Sequence, residues 1–72
     1  MATCDLINLG SFSHCDEVVI PAIDGECYLL NVVTRRLCAF EDGSFGYLSI
    51  GCYILYFGND VYKFSVDSSA PG

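Results

Sequence analysis

The chain has 72 residues and a net charge of −6, with nine acidic residues against three basic ones. Its hydrophobic content of 53% and charged content of 17% exclude an intrinsically disordered chain. Because there are only three Lys and Arg residues and no basic cluster larger than one pair, the sequence also argues against a phosphate-binding surface, and we expect no direct binding of nucleic acid.

The first residues and the apolar runs of the sequence predict the cellular location of the protein. The first residues carry no basic segment, and Asp5 and Asn8 interrupt the first apolar stretch, so no secretory signal is expected. The longest unbroken apolar run, residues 52–57, is far shorter than the ~20 residues that cross a bilayer. We therefore expect a cytoplasmic protein with reduced cysteines and no membrane partner.

Turn signals divide the first half of the chain into short elements. Residues 2–9 fit either a short helix or a first strand. Residues 16–23 are rich in Val and Ile and predict a strand, although Pro21 cannot donate to a strand ladder. Asp24-Gly25 then predicts a hairpin turn that leads into a strand at residues 26–34.

The second half of the chain continues the same pattern. Residues 41–44 (EDGS) are a strong turn signal, Gly51 indicates a bulge or bend, and Gly58-Asn59-Asp60 predicts a hairpin turn. The strands predicted between these signals are residues 37–40, 45–50, 52–57 and 61–66.

Turn signals that recur every ~8–12 residues are typical of an all-β domain. We expect a small antiparallel barrel or curved sheet of five to six short strands, with a short N-terminal helix or extra strand. The predicted organisation is an N-terminal arm that packs on the core (residues 1–15), a β core (16–66) and a flexible tail (67–72).

Several predicted strands are apolar on both faces, which is unusual for a small domain with one core. In residues 52–57 one face carries Tyr53 and Leu55 and the other carries Ile54 and Tyr56. An uncovered second face predicts an interaction surface, either for self-association or for another protein, unless residues 1–12 fold over it. The oligomer interface predicted on this basis comprises Ile54, Tyr56, Leu29, Val33, Arg35 and Arg36. The two arginines are included because they could pair with acidic residues of a second subunit.

Five cysteines with no Cys-x-x-Cys pair argue against both a zinc motif and a disulfide framework. We expect Cys27, Cys38 and Cys52 to be reduced and buried. Two alternatives stay open: one disulfide, or a metal held by Cys4, His14 and Cys15. No cofactor or metal is expected.

His14-Cys15-Asp16-Glu17 is the one cluster of reactive side chains. Adjacent residues in an extended segment point apart, so a Cys–His dyad is not expected there. Without a phosphate loop or a nucleophile elbow, the sequence favours a protein that is not an enzyme.

The remaining feature of the sequence is that several acidic residues lie in or beside predicted turns. We expect Asp24, Glu26, Glu41, Asp42 and Asp60 to form a partner-binding surface. The hypothesis is an acidic module that occupies a basic surface on another macromolecule. Its size and charge suit a viral or mobile-element inhibitor of a host or defence factor. The alternatives are a self-assembling structural subunit and charge that serves solubility alone; the scattered acids argue against nucleic-acid mimicry.

Overall fold

A computed structural model describes residues 6–68, and in that part of the chain every regular element is a β-strand. An all-β fold is therefore confirmed, whereas the predicted N-terminal helix is not. The seven strands are β1 (Leu6–Ser13), β2 (Val18–Val19), β3 (Cys27–Asn31), β4 (Arg36–Phe40), β5 (Ser44–Gly46), β6 (Gly51–Phe57) and β7 (Asp60–Asp67).

Five strands form the main sheet in the order β1-β7-β6-β3-β4, and β2 pairs with β5 in a second sheet. The main sheet is open, with β1 and β4 at its edges, so the predicted barrel is not confirmed. The predicted antiparallel arrangement holds for β7-β6-β3-β4, but β1 runs parallel to β7. A parallel pair needs no tight turn between its strands, and so it left no local signal in the sequence.

The small second sheet covers one face of the main sheet, here called the inner face. Val18, Ile20 and Ile23 from the β2 region and Phe45 from β5 belong to one buried cluster with the inner face. The predicted hairpin at Asp24-Gly25 is wrong, because β2 pairs with β5 and not with β3. Val18, Ile20 and Ile23 are buried on the inner face, whereas the residues between them are exposed, and the segment 18–23 does not extend the main sheet.

The β6–β7 hairpin around Gly58-Asn59 is confirmed. Tyr62, Phe64 and Val66 of β7 are all buried, as their alternation with Lys63 and Ser65 predicts. Phe64 is the centre of this core. Its ring stacks on Tyr53 and meets Phe12 edge-on, with ring centroids 5.3 Å apart in both pairs.

Asn31 organises the turn that joins β3 to β4. Its side-chain oxygen accepts hydrogen bonds from the backbone N–H groups of Val33 (3.0 Å) and Thr34 (3.2 Å). Its side-chain nitrogen lies 3.4 Å from the Tyr53 hydroxyl, which itself donates to the Ser49 carbonyl at 2.7 Å. One side chain therefore fixes the turn and ties it to β6.

Arg35 closes this turn in the left-handed region, with φ of 61°. A side chain in that conformation costs on the order of 1 kcal/mol, which glycine avoids. We expect Arg35→Gly to raise the free energy of unfolding by about 1 kcal/mol relative to Arg35→Ala, measured by urea unfolding. Both variants remove the same charge, so equal stabilities would contradict a strained backbone at this position.

Candidate functional site: the outer face and the acidic end

The outer face of the main sheet carries an apolar row that crosses all five strands. The pairing register sets Tyr28 opposite Tyr56, and Tyr56 opposite Val61. Ala39 on β4 and Leu6 on β1 extend this line to the two edges. Residues opposite one another on neighbouring strands point to the same face. We call these five residues the apolar row: Ala39, Tyr28, Tyr56, Val61 and Leu6.

A second line lies beside the apolar row and is apolar over three of its five positions. Leu37, Leu30 and Ile54 stand opposite one another, followed by Lys63 and Asn8. The next outward positions, Cys52, Ser65 and Ser11, are small or polar. The outer face is therefore apolar at one end of the sheet and polar at the other.

The apolar row is accessible. Tyr28 is 43% exposed, Tyr56 39% and Leu6 55%, whereas Leu55 on the inner face is fully buried. Within the described residues, the N-terminal segment does not fold over this face, because β1 lies in the plane of the sheet beside β7. Tyrosine offers an apolar ring with a polar tip, which is why it is enriched in protein interfaces.

The predicted acidic residues converge at the same end of the sheet as the apolar row. Cys27 pairs with Phe40, and the next residues beyond that pair are Glu26 and Glu41. Asp60 opposes Phe57 at the β6–β7 turn, which lies at this end because β6 is antiparallel to β3. All five predicted acids are exposed; we call Asp24, Glu26, Glu41, Asp42 and Asp60 the acidic end.

The Cys27 thiol lies beneath the acidic end, and burial and the negative charges there affect its pKa. Burial raises its pKa, and the negative charges of Asp42 and Glu26 raise it further. The thiol lies 3.5 Å from the backbone oxygen of Asp42, to which it donates. Cys27 is thus a neutral core residue beneath a locally negative surface.

The predicted oligomer-interface residues separate in the structure. Ile54 and Tyr56 lie on the outer face, but Leu29 is buried on the inner face opposite Leu55. Both faces of β3 are apolar, so the sequence could not tell which one meets the core. Val33 and Arg35 are exposed in the β3–β4 turn, at the end of the sheet opposite the acidic end.

The cysteines only partly follow the prediction. Cys27 is buried, but Cys38 and Cys52 are exposed, because Cys38 sits on an edge strand and Cys52 on the outer face. Exposed Cys15 is close to His14, since a turn and not an extended strand holds this pair. The Cys15 sulfur lies 3.7 Å from Nε2 and 3.9 Å from Nδ1, and such near-equal distances indicate contact without a directed hydrogen bond.

Residues 6–68 contain no cluster of three metal-ligating side chains. The proposed metal set includes Cys4, which lies outside the described residues.

A cavity of about 190 Å³ lies on the inner face, where Arg36, Cys38 and Phe40 of β4 face Tyr47.

In the part of the chain that the structure describes, no helix could cross a membrane. Comparison with protein-family models, curated proteins and solved structures gave no match.

Proposed function

We propose that the protein is a binding module that occupies a basic surface on a partner protein. The observation that supports this proposal is that two kinds of surface lie next to each other. The apolar row runs across the whole sheet, and the acidic end borders it. Either feature alone is common on small proteins. Together they define a binding surface with an apolar centre and a negatively charged rim.

The partner that fits has an apolar strip flanked by Lys or Arg. Tyr28 and Tyr56 lie side by side near the centre of the row and would be the anchors, since aromatic residues dominate interface energetics. Glu26, Glu41 and Asp60 would steer a basic partner towards the row, which raises the association rate more than the final affinity. A protein that covers such a surface blocks its other ligands, and inhibition is therefore the mode of action we favour.

The experiment begins with capture of partners from the source cells by the wild-type chain, by Tyr56→Glu and by Tyr47→Glu. Tyr47 is the matched control, because it is 68% exposed but lies on the inner side beside β4. Any protein captured is then purified and its affinity for each variant is measured by calorimetry. We expect Tyr56→Glu to weaken binding by about tenfold or more, and Tyr47→Glu to leave it unchanged.

The acidic end is tested separately by association kinetics with the same purified partner. Glu26→Lys combined with Asp60→Lys should slow association and reduce its dependence on salt, with a smaller effect on dissociation. The proposal fails if the captured proteins bind Tyr56→Glu as well as wild type. It also fails if their binding surface is acidic or if the charge reversals speed association.

A further inference from the structure

The free edge of β4 is an available pairing surface, and Arg36 is the one charged residue within the strand. Among the described residues, β4 pairs on one side only, with β3, and its register runs without a shift from Arg36 to Phe40. The residues from Arg36 to Ala39 are exposed, and no proline or lysine interrupts the strand. Unpaired backbone N–H and C=O groups on such an edge are a template for another strand.

The opposite edge of the sheet is different. In β1 the register shifts between Asn8 and Gly10, and Gly10 has φ of 89°. Bulges of this kind disrupt regular pairing and are one way in which proteins protect an edge. If the sheet extends by edge pairing, β4 is therefore the strand that does so.

The charges that flank β4 indicate which kind of strand could pair with it. Arg35 and Arg36 lie at its beginning, and Glu41 and Asp42 follow its end. A strand with this polarity is complementary to itself in the antiparallel direction. Two copies related by a two-fold axis would each place their basic end against the acidic end of the other.

We propose that the chain forms a symmetric dimer in which β4 pairs antiparallel with β4 of a second copy. The two-fold axis passes beside Cys38, so that Cys38 faces Cys38 of the second copy and Leu37 faces Ala39. In this register Arg35, in the turn just before β4, lies near Glu41 of the second copy, just after its β4, and the same pair recurs on the other side of the axis. The two main sheets become one continuous sheet of ten strands.

This inference goes beyond the proposed function, because it concerns the edge of the sheet and takes up only Ala39 and Glu41 of the proposed binding surface. Tyr56 and Val61 lie on strands away from β4 and stay accessible in the dimer. The dimer therefore presents two copies of the binding surface on the same side of one sheet. A partner with two basic sites at the matching distance would bind with higher avidity than one with a single site.

The first test measures the dimer dissociation constant by light scattering or sedimentation, under reducing conditions, for a charge-swap series. Arg35→Glu and Glu41→Arg each replace two attractive pairs with two repulsive ones and should each weaken the dimer roughly tenfold. The double variant restores both pairs with reversed polarity and should recover most of the affinity. Glu17→Arg is the control, since it makes the same charge change as Glu41→Arg at an exposed site outside the main sheet and should have no effect.

The second test fixes the register by cross-linking. Opposed residues of an antiparallel pair have Cα atoms ~4.5–5.5 Å apart, within the ~4.4–6.8 Å that a disulfide spans. In a variant that carries serine at positions 4, 15 and 52, diamide should take up the two thiol hydrogens and join Cys38 to Cys38 of the second copy. The Cys38→Ser variant, with the other cysteines retained, should give no cross-linked dimer at equal protein concentration.

A monomer at all concentrations up to several hundred micromolar would overturn the inference. So would a dimer that the charge swap does not rescue, or one that cross-links through other cysteines. Tyr56→Glu separates this inference from the proposed function: it should weaken partner binding by about tenfold or more and leave the dimer intact. Loss of the dimer in that variant would instead indicate that the outer faces pack together.

Discussion

Gly43→Ala is expected to lower the free energy of unfolding by about 3 kcal/mol or more. A methyl group at this buried position would clash with the Ile20 carbonyl oxygen and lie 3.0 Å from the Ile23 Cβ. The Gly43 backbone also accepts from Ile20 N–H (2.8 Å) and donates to the Ile23 carbonyl (3.0 Å). The Ile20 carbonyl is part of the backbone and the Ile23 Cβ is bonded directly to it, so the chain can relieve the clash only by separating the segment 20–23 from the turn.

Gly25→Ala is the matched control for this prediction. A Cβ at Gly25 would meet only the Phe57 ring, at an ordinary contact distance of 3.6 Å. We expect its stability to stay within ~0.5 kcal/mol of wild type. Urea unfolding followed by fluorescence or circular dichroism measures both variants. Equal stability of the two would mean that segment 20–23 does not dock against Gly43 as described.

The turn at residues 41–44 illustrates what the sequence could and could not predict. Its Asp-Gly-Ser composition predicted a turn, and Asp42 does accept a hydrogen bond from the Ser44 N–H at 3.0 Å. The sequence did not indicate that Gly43 is buried under segment 20–23. That requirement comes from a contact between segments distant in sequence, which no local pattern records.

Strand positions were predictable where local signals were strong. The β6–β7 hairpin has both a turn signal and alternating side chains, and its register follows from them. The assignment of faces in β3 was not predictable, because Tyr28 and Leu30 are as apolar as Leu29. The structure shows that Leu29 belongs to the core, because it is buried and lies opposite the fully buried Leu55.

The candidate site was predictable in its residue types but not in its assembly. The sequence placed acidic residues in turns and Tyr56 on a second surface, but it did not place Tyr28 there. That these features share one end of one face follows from strand order. Glu26 directly precedes β3, Glu41 directly follows β4, and Asp60 begins β7, and three antiparallel pairings bring those points together. Strand order beyond hairpins depends on the whole core, and a single sequence does not specify it locally.

Phe64→Ala is expected to cost about 4 kcal/mol, and Tyr56→Ala about 1 kcal/mol or less, in the purified chain at low concentration. Phe64 is 1% exposed and its ring contacts Tyr53 and Phe12, so its removal leaves a cavity at the centre of the inner face. Tyr56 lies on the outer face and is 39% exposed, so its truncation removes partly hydrated surface and leaves no closed cavity. Chemical denaturation of both variants measures the difference directly.

This pair of variants tests which face of the sheet is covered in the isolated chain. A domain of this size has only about 5 kcal/mol of stability, so Phe64→Ala should keep about 1 kcal/mol and be partly unfolded at physiological temperature. Tyr56→Ala should fold normally, which makes it the variant with which a loss of partner binding can be separated from a loss of structure. If Tyr56→Ala were as unstable as Phe64→Ala, the outer face would already be packed in the free protein. The apolar row could then not serve as a binding surface.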